Sequence, residues 1–133
     1  MAKIEETIHE WLAISEYDLK TTKAMLTTGR YLYVAFMSQQ AIEKLLKAIY
    51  VHKIKKLPPR THNLLYLLDK LGLEIPEKQK QLLSKLNQYY LESRYPGERL
   101  RLAKEMNKTQ AEDIYNCTQE AWECLKKQLV LKK

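Results

Sequence analysis

Residues 30–56 constrain the fold of this chain most strongly, because their apolar side chains cover a wide arc of a helical wheel. These side chains fall on two adjacent lines, one of Val34, Ala41, Leu45 and Ala48 and the other of Ala35, Ile42, Leu46 and Ile49. A helix with so wide an apolar face packs against more than one neighbour. We therefore predict a central helix here, and Pro58 and Pro59 end it firmly.

Four further segments show the helical spacing of apolar residues, and no segment shows the sustained alternation that is typical of strands. The spacing predicts helices over residues 4–27, 62–72 and 76–93, and a last helix that begins near residue 109. The predicted fold class is therefore all-α, an up-and-down four-helix bundle with an additional short helix. A length of 133 residues suggests that residues 1–133 form a single helical domain.

Capping and turn residues give boundary predictions for these helices. Thr61 is expected to cap the short helix and Gly72 to stop it. Thr109 opens a capping box of the form Thr-x-x-Glu at the start of the last helix. Residues 94–97 are predicted to form a turn or loop, and residues 98–106 fit either a loose helical turn or a mobile loop.

Composition and residue spacing exclude several classes of protein. No run of about 18 apolar residues is present, as a membrane-spanning helix would require. Cys117 and Cys124 lie two helical turns apart, which is too far for a disulfide within the helix, so they are expected as free thiols in a reducing compartment. The first residues lack the apolar segment of a signal peptide, so we expect a cytoplasmic protein.

The sequence predicts no metal site and no cofactor. The three histidines and two cysteines show no ligand spacing such as CxxC or HxxxH. Three isolated glycines exclude a phosphate-binding loop or a dinucleotide fingerprint.

The formal charge of +7 is unevenly placed along the chain. Residues 52–62 carry +4, residues 94–108 carry +3 and residues 126–133 carry +4, so the rest of the chain is acidic. One interpretation is that these lysines and arginines lie on solvated loops and helix ends. The other is that the segments converge into a phosphate-binding surface. The candidate ligands from the first two segments are Lys55, Lys56, Arg60, His62, Arg94, Tyr95, Arg99 and Arg101.

The predicted central helix also carries a polar strip, formed by Tyr33, Gln40, Lys44 and Lys47 with Phe36 and Glu43 beside it. Glu43 and Lys47 have the spacing of an ion pair on a solvated helix face. Aromatic residues next to Gln and Lys also suit a contact surface. Tyr33 and Phe36 are therefore candidates for a homodimer contact, and Gln40, Lys44 and Lys47 for ligand binding.

Several blocks of residues resemble the HEPN domain family between about residues 8 and 97. They are Trp11, Ala13, Tyr17 with Asp18-Leu19, Tyr31, Phe36, the run Gln39-Gln40-Ala41-x-Glu43-Lys44-x-x-Lys47-Ala48, then Thr61-His62-Asn63-Leu64, and Tyr90-x-x-x-Arg94-Tyr95-Pro96. The resemblance implies a four- or five-helix bundle that usually dimerises. It also implies a partnership with a minimal nucleotidyltransferase, as a toxin–antitoxin or nucleotide-handling pair.

Many HEPN proteins are metal-independent ribonucleases with an Arg-x4–6-His motif, and this sequence departs from that pattern. The positions for the histidine after Arg94 hold Arg99, Leu100 and Arg101. Arg94 is carried over as a remnant of the motif, and His62 is the candidate to replace its histidine. Some relatives are adenylylated on a tyrosine near that histidine, and Tyr95 is the corresponding candidate here.

Three functional hypotheses follow from the sequence. The first is a binding module for a nucleotide or RNA phosphate that acts with a nucleotidyltransferase. The second is a divergent metal-independent ribonuclease that uses Arg94 and His62. The third is a purely structural homodimer that packs through Tyr33 and Phe36.

Overall fold

The computed structural model describes residues 2–130, and it describes side chains for residues 3–129. Within residues 2–130 the chain forms six helices and no strand. They are α1 (Ala2–Thr27), α2 (Tyr31–Ile54), α3 (Leu64–Leu71), α4 (Glu77–Glu92), α5 (Pro96–Glu105) and α6 (Lys108–Val130). The predicted all-α bundle is confirmed, with two short helices, α3 and α5, in place of the predicted one.

Helix α2 is the centre of the bundle, as its wide apolar arc predicts. It packs against α1, α3, α4, α5 and α6, whereas α1 packs mainly against α2 and α6. Both lines of its apolar side chains are completely buried. The core around them is completed by residues of the other helices, including Leu64, Leu67, Leu83, Leu86, Ile114, Ala121, Trp122 and Leu125.

A buried polar relay joins three of the helices. The Ser15 hydroxyl on α1 donates a hydrogen bond to the Ala41 carbonyl on α2 over 2.6 Å. Trp122 on α6 donates its indole N–H to the same Ser15 oxygen over 2.7 Å. Since all three groups are shielded from water, these bonds fix the relative positions of α1, α2 and α6.

Several predicted boundaries are corrected by the structure. The N-cap of α3 is Asn63 rather than Thr61, and its side chain accepts a hydrogen bond from the Tyr66 N–H. The N-terminal box of α6 pairs Asn107 with Gln110 instead of beginning at Thr109. Gly72 ends α3 in the left-handed conformation, as predicted.

The segment after α4 is also more helical than predicted. The turn is confined to residues 93–95, because Pro96 and Gly97 already belong to α5. Proline suits the first position of a helix, where its missing N–H costs no hydrogen bond. The ambiguity over residues 98–106 is thus resolved as helix up to residue 105.

Candidate functional site

A cleft of about 280 Å³ lies between the loop that follows α2 and the second half of α4. Its lining residues come from two segments that are separated by more than twenty residues of sequence. They are Arg60, Thr61, His62 and Asn63 from the loop, and Asn87, Tyr90, Leu91 and Arg94 from α4 and its end. The bundle therefore brings parts of the two predicted basic segments to one place.

The loop wall of the cleft is fixed to α4 by two asparagines. The Asn87 amide N–H donates to the Asn63 side-chain oxygen over 2.8 Å. The Asn87 oxygen in turn accepts the Leu64 N–H over 2.9 Å. Because Asn63 also caps α3, the start of that helix and the edge of the cleft are held by the same hydrogen bonds.

Behind the cleft lies a buried carboxylate, Glu43 on α2, whose side chain is only 2% exposed. It accepts hydrogen bonds from Lys47 Nζ over 2.9 Å and from Gln39 Nε2 over 3.0 Å. The third donor is His62 Nδ1, at 3.0 Å from Oε1. Gln39 Nε2 also donates to the His62 backbone carbonyl over 2.9 Å, so α2 holds both the ring and the backbone of His62.

The charge state of Glu43 determines the tautomer of His62. Burial alone would raise the pKa of Glu43, but the hydrogen bonds from Lys47, His62 and Gln39 outweigh it and hold the pKa below its usual value. An ionised carboxylate only accepts hydrogen bonds, so His62 Nδ1 must carry a proton and donate it. In the neutral form of the ring, Nε2 is then the nitrogen without a proton.

Aromatic rings form a continuous stack beside this histidine. The Tyr90 ring is tilted against His62, with centroids 5.1 Å apart, and it stacks on Phe36 at 5.7 Å. Tyr33 meets the edge of Phe36 at 6.2 Å. Burial and the Glu43 carboxylate raise the pKa of Tyr90 above its usual value, and the Arg94 guanidinium opposes this effect. Tyr90 is therefore a neutral hydroxyl in the cleft at neutral pH.

Arg60 and Arg94 are the two permanent cations of the cleft. Both are exposed, and within residues 3–129 neither guanidinium forms a salt bridge with a carboxylate. A planar guanidinium without a partner is well suited to bidentate contact with a phosphate.

The predicted ligands on α2 are engaged within the chain. Lys47 pairs with Glu43 and is nearly buried, and its ammonium also lies over the Trp11 ring at 5.5 Å. Lys44 donates to Gln40 over 2.8 Å and pairs with Asp18 at 3.7 Å. The predicted ion pair between Glu43 and Lys47 is therefore present. The expectation that it lies on a solvated face is wrong, because both side chains are buried.

The predicted ligands around α5 lie outside the cleft. Arg101 is surrounded by carboxylates, with Glu98 at 2.6 Å, Glu105 at 2.7 Å and Glu92 at 3.8 Å. Arg99 Nε donates to the Ser93 carbonyl over 2.8 Å and thus caps the end of α4. Tyr95 is exposed at the start of α5, next to Arg94.

Lys55 and Lys56 line a different hollow. It has a volume of about 270 Å³ and lies between the start of α1 and the end of α2, where Lys3, Ile4 and Leu57 also contribute. In the basic tail, Lys126 pairs with Glu16 at 3.7 Å. Lys132 and Lys133 lie outside the described residues.

Four features of the cleft escaped the sequence-based site prediction, namely Gln39, Asn87, Tyr90 and the buried role of Glu43. Only the blocks that resemble the HEPN family marked Gln39, Glu43 and Tyr90 in the sequence. On a helical wheel Gln39, Glu43 and Lys47 fall beside the apolar arc, where periodicity alone predicts a solvated face. Nothing in the sequence marks Asn87.

Three structural findings bear on other classes of function. Within the part of the chain that the structure describes, no group of three or more His, Cys, Asp or Glu side chains is arranged to hold a metal ion. No helix between residues 2 and 130 is long and apolar enough to cross a bilayer. Cys117 and Cys124 are both free thiols.

Comparison with known proteins places the fold. A family model described as the HEPN domain matches residues 8–128, which extends the resemblance seen in the sequence through α5 and most of α6. No curated protein matches the chain with significant sequence similarity.

Two crystal structures have a similar fold. The structure of TT1696 from Thermus thermophilus is 23% identical, superimposes with a TM-score of 0.76, and the match covers 91% of this chain and 97% of that one. The structure of ST0689, described as an archaeal HEPN homologue, is 24% identical with a TM-score of 0.72, and the match covers 91% of this chain and 96% of that one. At this level of identity the likeness concerns the fold alone.

Proposed function

The chain belongs to the HEPN domain family, and we propose that it is a binding module whose cleft holds the phosphate groups of a nucleotide or an RNA. The phosphate ligands in this proposal are Arg60, His62 and Arg94. Tyr90 provides a ring and a neutral hydroxyl beside them.

One observation carries the proposal. Arg60 and Arg94 are far apart in sequence, line one cleft, and have no carboxylate partner within residues 3–129. Arg101 shows the alternative, since its charge is compensated by Glu92, Glu98 and Glu105. An arginine pair left without counter-charges in a concave site attracts an anion, and phosphate offers the matching geometry.

Thermal melting with inorganic phosphate, ATP, GTP and a short RNA tests this proposal. A ligand at 100 times its dissociation constant adds about 2.7 kcal/mol to the free energy of unfolding, which is a shift of the order of 10 °C for a chain of this length. Arg94→Ala should abolish most of the shift, whereas the matched variant Arg101→Ala should keep it. Equal loss in both variants, or no shift with any of the four ligands, would refute the proposal.

The proposed partners are a second copy of the chain and a nucleotidyltransferase. HEPN domains commonly dimerise. The predicted dimer contact is Tyr33 and Phe36, which are half-buried at the end of the aromatic stack. Light scattering on Phe36→Glu tests this contact. Because Phe36 also stacks on Tyr90, Tyr33→Glu should be measured with it, and Tyr17→Glu on α1 serves as the control. If the variants at Tyr33 and Phe36 remain dimeric, this surface is not the dimer contact.

A nucleotidyltransferase encoded in the neighbouring reading frame would define the second partner. Co-purification of the two chains at high salt would support a toxin–antitoxin or nucleotide-handling pair. Two chains that elute separately at every salt concentration would count against it.

A divergent ribonuclease is the second candidate function, and the Glu43–His62 contact is the observation that favours it. A histidine oriented by a buried carboxylate has the arrangement of a general base, and Arg94 in the same cleft suits a negatively charged phosphorane. Metal-independent cleavage of RNA that is lost in both Arg94→Ala and His62→Ala would establish it. Purified protein that leaves several RNAs intact over long incubation would exclude it.

A further inference from the structure

One ring nitrogen of His62 is hydrogen-bonded within the protein, and the other has no hydrogen-bond partner among the described residues. Nδ1 is bonded to the buried Glu43, at 3.0 Å and 3.2 Å from its two oxygens. Within residues 3–129 Nε2 has no hydrogen-bond partner, and the side chain is 56% exposed at the wall of the cleft. A nucleophilic side chain that is oriented through its far end by a third group is the general pattern of covalent catalysis.

The groups around Nε2 suit an incoming phosphoryl group. Arg60 and Arg94 line the same cleft and can contact the non-bridging oxygens, whose charge guanidinium groups stabilise during transfer. The Tyr90 hydroxyl is a neutral donor there. No carboxylate among the described side chains lines the cleft to repel a phosphate. Glu43 lies behind the cleft, is hydrogen-bonded to Nδ1 and is compensated by Lys47.

From this geometry we propose that His62 is a phosphoryl-accepting residue, modified at Nε2 by a donor with an activated P–N bond. Nε2 attacks phosphorus as the P–N bond of the donor breaks. The donor nitrogen, which is already protonated in the donor, takes the bonding electron pair and leaves as the free amine. The imidazole becomes a positively charged Nε2-phosphoimidazolium, and the Glu43 carboxylate stabilises that charge through its hydrogen bond with the Nδ1 proton. This transfer of a phosphoryl group requires no metal, oxidant or reductant.

The inference rests on the proposed function, because the same arginines must hold the phosphoryl oxygens. It goes beyond that function in assigning a covalent step to one atom. Donors with this chemistry include small phosphoramidates and a phosphohistidine on another protein. The common chemistry is what the site recognises, and a small phosphoramidate is sufficient to test it.

His9 provides an internal control. It is exposed on α1 and forms no hydrogen bond or ion pair within the described residues, so its modification measures the reactivity of an ordinary histidine. Full-length protein would be incubated with potassium phosphoramidate at neutral pH. Peptide mapping would then give the rate of phosphorylation at each histidine, and phosphorus NMR at high pH the nitrogen modified.

The expected result is that His62 is phosphorylated about ten times faster than His9 and at Nε2, because two guanidinium groups and an oriented ring act only at His62. Arg94→Ala should reduce the rate at His62 to nearly that of His9. Glu43→Gln should do the same through the orientation and charge of the ring, as expected of a positioning residue. The rate at His9 should be unchanged in both variants, and Arg101→Ala should alter neither rate.

Two outcomes would overturn the inference, namely a rate at His62 no higher than at His9, or attachment at Nδ1. Arg94 is exposed and forms no salt bridge within residues 3–129, so Arg94→Ala should fold and keep the test decisive even if Glu43→Gln does not. Melting of the same samples with inorganic phosphate separates the two proposals. If phosphate raises the melting temperature but phosphoryl transfer to His62 is slow, only the covalent step is refuted. If phosphate does not raise the melting temperature and transfer is slow, both proposals are refuted.

Discussion

The cleft and the hollow at Lys55 and Lys56 have similar volumes, and they differ in how their cations are supported. The cleft at Arg60 and Arg94 is backed by a network that includes the buried Glu43. The hollow at Lys55 and Lys56 lies on helix ends and apolar side chains, with no comparable network among the described residues. A run of positive charge in sequence therefore does not define a site. A site also needs buried groups that orient the side chains facing the ligand.

The strongest predicted loss of stability tests whether that buried network is real. Glu43→Ala leaves the Lys47 ammonium buried without a counter-charge, which should lower the free energy of unfolding by about 3–5 kcal/mol. Urea unfolding measures it. The matched removal of an exposed partner, Glu98→Ala, should leave the free energy of unfolding close to that of the wild type. Similar losses in the two variants would mean that the buried ion pair behind the cleft stabilises the fold no more than an exposed pair does.

The pH dependence of stability probes the same network. Because the pKa of Glu43 is lowered in the folded protein, the unfolded chain binds more protons just below the ordinary pKa of 4.5. The stability contributed by this group is therefore fully present above that pH and is lost as the pH falls through the folded pKa. Urea unfolding between about pH 6 and pH 3 should show this decline, and Glu43→Gln should make it shallower. An equal decline in the variant would assign it to other carboxylates.

A smaller loss of stability distinguishes the role of Asn63 as a helix cap from its role in supporting the wall of the cleft. Asn63→Ala and Asn107→Ala each remove the N-cap of a helix, and each should cost about 1 kcal/mol in thermal or urea unfolding. Only Asn63→Ala also releases Asn87, so only this variant should weaken phosphate binding by calorimetry. Weaker binding in both variants would mean that general stability, not the loop, controls affinity.

The weakest predicted change concerns the second hollow. Lys55 lies in the left-handed region, with φ of 64°, where glycine is favoured. Lys55→Gly should raise the free energy of unfolding by less than about 1 kcal/mol in urea unfolding. It should leave phosphate affinity unchanged although it removes a positive charge. A clear loss of affinity would bring the second hollow into the binding site.

The helices could be predicted from the sequence because their signal is local. The periodic apolar residues that mark α2 as central, such as Val34 and Leu45, are buried. Capping residues were harder, since Thr61 and Asn63 are both good caps and the choice between them depends on Asn87, far away in sequence. For α5, the short apolar pattern after Pro96 could not decide between helix and loop.

The candidate site was predictable in its residue types and not in its geometry. The convergence of Arg60 with Arg94 depends on how the loop turns after Pro59, and no local pattern encodes that direction. The same turn sends Lys55 and Lys56 to a different hollow, although they lie only a few residues before Arg60. Whether each candidate binds phosphate stays a prediction.

The double hydrogen bond of Gln39 bears on the kinetics of binding. Its amide holds the His62 carbonyl and the Glu43 carboxylate together, so the loop cannot swing outward without breaking contacts to a buried ion pair. One wall of the cleft is thus already in place before any ligand arrives, and little ordering entropy is lost on association. We expect association rates that fall with ionic strength, as for a rigid charged receptor, and no slow closing step after the encounter.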